Sequence, residues 1–231
     1  MTSKPSLLAT IVGAGAMALA GPTLAAQIVL DPSKVIGSGG DFDNSFAANN
    51  ILDQQSVSVD DVFGSTYWLF PDSNSAPAFI TVDLGAAYRL DRLELFNTRN
   101  AGVGDRGTKD FTIAGGNSVS VFSGGLRLSG LETTLVNGVL APAAVINNIP
   151  GQSFSVSSSA TFRYLEFRPT SARGPSSTAS FSAYGLNELR VYEYEATGAI
   201  PEPSTWAMMI LGFGAAGAAI RPRRRVSTAA V

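Results

Sequence analysis

A chain of 231 residues has room for one ordinary domain plus processing segments at its ends. With no cysteine and no histidine it cannot form disulfides, thiolate or imidazole zinc sites, Cys- or His-based nucleophile pairs or a Ser-His-Asp arrangement. A formal net charge of −2 supplies no basic surface for nucleic acid.

At the N-terminus Lys4 precedes an apolar run over residues 7–20, followed by Gly21, Pro22 and the small residues Thr23, Ala25 and Ala26. A charged start, an apolar stretch shorter than the ~20 residues of a spanning helix and a small-residue end make up a secretory signal peptide. Residues 1–26 are therefore expected to direct export and to be removed after Ala25 or Ala26.

The middle of the chain is built from short β-branched and aromatic runs divided by Gly, Asn, Ser and Pro. In AFITVDLG (78–85), Phe79, Thr81 and Asp83 alternate with Ile80, Val82 and Leu84; in RLDRLELFN (89–97), Leu93 and Leu95 oppose Arg92, Glu94 and Phe96. Both read as half-buried strands. Further strand patterns are DFTIAGG, SVSVFSGG, SFSVSSSATFRYLEFRP and GLNELRVYEYE. In FRYLEFRP the alternation sets Phe162, Tyr164, Glu166 and Arg168 against Arg163, Leu165 and Phe167. No segment among them carries a helical apolar stripe, which predicts an all-β, jelly-roll β-sandwich.

Between two of these strands lies the glycine-rich stretch NTRNAGVGDRGTKDF (97–111), with Arg99, Asp105, Arg106 and Lys109. Loops at one end of a sandwich are common ligand sites, and a sugar needs planar apolar contact plus a few oriented polar groups. Tyr67, Trp68 and Phe70 are the candidate stacking surfaces and Arg99 or Arg106 the candidate bidentate donors. The structural alternative for the same residues is that Arg106 and Asp110 tie the loop down while Trp68 belongs to the core edge. Acidic neighbours such as Asp60 and Asp61, or Glu193 and Glu195, do not by adjacency place two carboxylates across the ~5–9.5 Å cleft that glycoside hydrolysis needs. A non-catalytic protein is the expectation, with an enzyme acting on surface polysaccharide as the alternative.

The chain closes with IPEPSTWAMMILGFGAAGAAIRPRRRVSTAAV (200–231). Ser204 or Thr205 can cap a helix after Pro203, and the apolar residues 206–220 continue it until Arg221 and Pro222. That helix would be ~23 Å long against a hydrocarbon core of ~30 Å, so it can span only with local thinning or with Trp206 and the arginines snorkelling. Arg221, Arg223, Arg224 and Arg225 would act as a cytoplasmic stop, leaving the preceding chain outside. Gly212, Gly214 and Gly217 spell G-x-G-x-x-G, but without a preceding strand and a later acidic residue they are no dinucleotide site; close helix packing in lipid accounts for them better.

Pro201, Glu202 and Pro203, followed by a short apolar helix and an arginine cluster, resemble the PEP-CTERM sorting signal of exported proteins in Gram-negative, biofilm-forming bacteria. The resemblance implies recognition and cleavage by an exosortase-type membrane protease, transient residence in the inner membrane, and an association with extracellular polysaccharide at the cell surface or in the matrix.

The middle carries a second resemblance. FAANNILD (46–53), then Thr66, Tyr67 and Trp68, then FITVDLGAAYRLDRLELFN, RGTKDFTI, RYLEFRPTSARG and GLNELRVYE resemble a discoidin, or coagulation-factor type C, galactose-binding-like domain over residues 35–194. It implies a jelly roll with one structural calcium ion. Asp53 matches that family's turn aspartate and Glu188 the glutamate opening the last strand, with Asn50 and Gln55 as carbonyl donors; such an oxygen set suits a hard cation. The family's glycine after the aspartate is Gln54 here. The expected organisation is thus a signal peptide (1–26), a sandwich that binds carbohydrate or serves as a structural module (27–196) and a sorting segment (197–231).

Overall fold

A computed structural model describes residues 25–55, 65–71, 76–98, 106–144, 147–174, 182–195 and 203–220, the last with side chains over 207–217. The chain divides into two units, Leu24–Glu195 and the two terminal segments together. The strands of the first unit are β1 (Gln27–Ile28), β2 (Val35–Ser38), β3 (Trp68–Pro71) and β4 (Ile80–Phe96). After them come β5 (Asp110–Gly116), β6 (Val119–Phe122), β7 (Gly125–Leu128) and β8 (Glu132–Val139). The last four are β9 (Gln152–Ser155), β10 (Thr161–Pro169), β11 (Ala183–Leu186) and β12 (Glu188–Glu193).

These strands build an antiparallel, jelly-roll-like sandwich. One layer runs β6-β7-β2-β4-β10-β5-β8; the other consists of β1, β12, β4 and β9. A separate β3-β11 ribbon adds Trp68, Phe70 and Leu186 to the core. Ile80, Val82, Ile113, Leu165 and Phe167 of the first layer meet Ile28, Leu93, Leu95, Leu189 and Val191 of the second in one apolar cluster.

β4 belongs to both layers. The two expected strands 78–85 and 89–97 are one strand of 17 residues. Ile80–Val82 pair with β2 and β10, and Leu93–Leu95 with β12 and β9. The change of layer falls at Gly85, whose φ of +85° lies in the region glycine favours, and at the exposed Ala86 and Ala87.

The alternation expected in FRYLEFRP is broken. A register shift between Phe162 and Tyr164 makes a β-bulge, and the extra residue turns Phe162 to the same side as Leu165 and Phe167, so that all three enter the core. The polar positions Thr81 and Glu166 are also covered. The β6-β7 hairpin joins the sheet through the Gly37–Gly125 pair, where a Cβ on Gly37 would come within 2.2 Å of the Leu126 carbonyl oxygen. Arg127 stacks over Phe79 at 4.3 Å. Glu166, fully buried beneath, accepts from Arg127 Nη2 (2.7 Å), Arg168 Nε (2.7 Å), the Leu128 N–H (2.9 Å) and Thr81 Oγ1 (3.1 Å). Burial pushes its carboxyl up, but these donors outweigh burial and hold it below the ordinary carboxylate value.

In the second unit the helix α1 spans Pro203–Ile220. It begins at Pro203 rather than after Ser204 or Thr205, because a first-turn proline lacks only an N–H that would have no helical partner. Met208, Ile210, Leu211 and Phe213 are exposed. Among the described residues no helix is long and apolar enough to cross a membrane. Residues 1–24, Pro201, Glu202, Arg221, Arg223, Arg224 and Arg225 lie outside the described residues.

Candidate functional site

A fully buried and a half-buried carboxyl group come together where a short helical turn meets the start of the last strand. The 3₁₀ turn Ala48–Leu52 is anchored by Ile51 and Leu52, both fully buried, and ends on Asp53, whose N–H donates to the Asn50 carbonyl (3.3 Å). Asn50 holds the turn in place: its Nδ2 donates to the carbonyls of Ser65 (2.7 Å), Ser45 (3.2 Å) and Tyr67 (3.3 Å). Across from it Glu188 opens β12 opposite Phe96. The preceding Asn187 is pinned by its N–H to the Phe96 carbonyl (2.8 Å) and by Nδ2 to the Thr66 carbonyl (3.2 Å).

The two carboxyls differ in how they are satisfied. Asp53 Oδ1 accepts the Gln55 N–H (2.9 Å) and Oδ2 accepts Gln55 Nε2 (3.2 Å). Glu188 is fully buried, and neither of its oxygens has a partner in good hydrogen-bond geometry; the Gln54 N–H and the Asp53 carboxyl are the polar groups that face it. Arg190 Nε stands 3.9 Å from Glu188 Oε1, beyond hydrogen-bond range. Burial first, and the neighbouring Asp53 carboxylate second, push the Glu188 carboxyl up to about 8. Burial also raises Asp53, partly offset by the Gln55 N–H and by Glu188.

A buried carboxylate without donors is rare in folded proteins and costs the full desolvation of the charge. Glu188 beside the half-buried Asp53 brings two carboxyl groups together, and oxygens of that kind suit a hard cation, so the pair fits the calcium that the discoidin resemblance implies. Gln55 turns its amide nitrogen to Asp53, which makes it a support for that carboxylate in this arrangement. Gln54, in the place of the family's glycine, takes the positive φ (63°) that a glycine would take, and its side chain accepts from Gln27 Nε2 (3.1 Å) and donates to the Leu30 carbonyl (3.5 Å). No group of three or more His, Cys, Asp or Glu side chains suited to a metal occurs among the described residues.

The expected sugar-stacking residues are placed otherwise. Trp68 and Tyr67 are fully buried, and Phe70 nearly so. Trp68 Nε1 donates to the Gly40 carbonyl (3.0 Å), and its ring packs against Phe70 at 6.1 Å and edge-on to Phe167 at 6.4 Å. Tyr67 packs against Phe46 at 5.2 Å. Neither ring has a free face for a sugar: Trp68, opening β3, enters the main core, and Tyr67, just before the strand, packs with Phe46, Leu69 and Ala183. Arg106 is half-buried and makes a backbone bridge to Ala183, which pairs with Pro71 of β3. The residues after it are fastened by Asn97 Nδ2 to the Thr108 carbonyl (2.8 Å) and by the bond of Ser171 Oγ to Asp110. Arg99, Asp105, Asp60 and Asp61 lie outside the described residues.

One residue of the acidic site went unnoticed in the sequence. Arg190, two positions after Glu188 and hence on the same strand face, was legible from the period-2 rule.

Residues 199–225 match the PEP-CTERM protein-sorting motif. No curated protein matches the chain. Among solved structures it is similar to the third family 32 carbohydrate-binding module (CBM32-3) of a family 31 glycoside hydrolase from Clostridium perfringens. There the identity is 17%, the TM-score 0.50, and the match covers 71% of this chain and 94% of that one. It is also similar to the family 32 module of C. perfringens NanJ in complex with galactose (16%, TM-score 0.48, 74% and 100% covered). A third is chitosan-binding module 1 of a chitosanase/glucanase from Paenibacillus sp. IK-5 (17%, TM-score 0.47, 72% and 98% covered). The chain therefore joins a sandwich with the discoidin-like fold of a family 32 carbohydrate-binding module to a C-terminal PEP-CTERM protein-sorting motif.

Proposed function

We propose that this protein is an exported, non-catalytic carbohydrate-binding module, delivered by its sorting segment to the cell surface or to an extracellular polysaccharide matrix. The observation that carries the reading is the union in one chain of a carbohydrate-binding-module fold and a PEP-CTERM motif. In this reading residues 1–26 lead export, and the C-terminal helix and arginine cluster hold the chain at the inner membrane until an exosortase-type protease cuts near Pro201–Pro203.

Ligand is assigned to the end of the sandwich where Pro71, Ala183 and Arg106 meet. Asp53 and Glu188 hold a structural calcium ion, which neutralises the buried carboxylates and fixes the turn to β12 without touching ligand. Asn50 keeps that turn in position.

Among the described residues, 24–195 contain every strand and all three apolar clusters, so this fragment serves for the test. On a glycan array and in affinity electrophoresis it should be retained by at least one polysaccharide, and Arg106→Ala should reduce the retention. A flat array would refute binding and leave a structural module; release of reducing ends from any retained polysaccharide would make the protein an enzyme.

A further inference from the structure

We propose that Arg190 sets the affinity of the Asp53–Glu188 cation site, as a built-in counter-charge that lets the domain fold without metal and weakens calcium binding when metal is supplied. The inference rests on the calcium reading above. Arg190 stands on the same face of β12 as Glu188, and its strand partner across the sheet is Glu94. Glu94 is engaged elsewhere, accepting from Tyr192 Oη at 2.9 Å. The Arg190 guanidinium instead lies over the ring of Phe96 at 4.4 Å, and Phe96 is itself the strand partner of Glu188. Stacking there holds Nε 3.9 Å from Glu188 Oε1, and Nε has no hydrogen-bond partner.

This arrangement separates charge from hydrogen bonding. At 3.9 Å the guanidinium supplies a favourable field to the buried carboxylate but fills none of its lone pairs, which remain available to a cation. Any cation bound by Glu188 must share that carboxylate with a fixed positive charge, so the same residue that relieves the metal-free state opposes the metal.

The test compares residues 24–195 with the variants Arg190→Met, which keeps apolar cover on Phe96, and Arg190→Lys, which keeps the charge. Calcium chloride is titrated calorimetrically and melting is followed in chelator and in excess calcium. The Met variant should melt lower in chelator, bind calcium at least about tenfold more tightly and show a larger calcium-induced rise. The Lys variant should stay within about threefold of the parent. If Arg190→Met does not fold, Arg190→Gln takes its place with the same expectation. Calcium binding by the parent with equal or weaker binding by the neutral variants would overturn the role of Arg190 alone; no binding by any of them would overturn it together with the calcium site.

Discussion

Replacing Glu188 by glutamine should abolish a calcium-dependent gain in thermal stability and leave the metal-free domain no less stable. Glu188 is fully buried, neither oxygen has a partner in good hydrogen-bond geometry, and burial and Asp53 push its carboxyl up to about 8, so near neutral pH the substitution exchanges a largely protonated acid for a neutral amide of the same shape. In the parent, calcium at a hundred times its Kd stabilises the native state by about 2.7 kcal/mol, provided that the unfolded chain does not bind it. For a domain of this size, each kcal/mol moves the melting temperature by roughly 2–4 °C, which gives a rise of about 5–11 °C. Scanning calorimetry of residues 24–195 in excess calcium and in chelator measures it. Identical melting of the parent in the two buffers would refute the metal site, and a calcium-induced rise that survives in Glu188→Gln would refute the role of this carboxylate.

Trp68→Ala should lower stability by about 3–5 kcal/mol, because it empties a fully buried site between Phe70 and Phe167; urea unfolding followed by circular dichroism reads the loss. Breaking the Glu166 cluster by Glu166→Ala should cost about 3 kcal/mol or more by the same measurement, since Arg127 and Arg168 are left facing each other across a covered sheet face. Glu166 also predicts acid sensitivity. Its folded value lies below its ordinary 4.5, so its contribution is present above pH 4.5 and is lost as the pH falls through the lower folded value; the urea midpoint should drop there more in the parent than in Glu166→Gln. Gln54→Gly should raise stability by up to about 1 kcal/mol, because glycine adopts the positive φ without strain, and a drop beyond that size would show that the side-chain bonds to Gln27 and Leu30 matter more.

Period-2 patterning was enough to read the sandwich class, since Leu93 and Leu95, set on one face of their strand by the alternation, both lie in the core. It failed where one residue changed the count. The bulge between Phe162 and Tyr164 is invisible to alternation because every residue after the insertion keeps its own period while swapping sides relative to those before it. It also could not reveal the cover over Thr81 and Glu166. That cover depends on a hairpin whose contact with the sheet requires a bare backbone at Gly37, and one glycine among 24 gives no sign of what approaches it.

The aromatic and acidic candidates turn on one distinction, that between a side chain's chemistry and its access. Tyr67, Trp68 and Phe70 have the right surfaces for sugar, but all three are buried where the chain enters β3, which lies on the core. Asp53 and Glu188 came together although 135 positions separate them in the sequence, 188 less 53. Only a family pattern could join them, because no local period relates a turn to a distant strand. Burial then supplies what the pattern lacked, a physical reason for the pair: a fully buried carboxyl beside a second one must hold a proton or meet a cation.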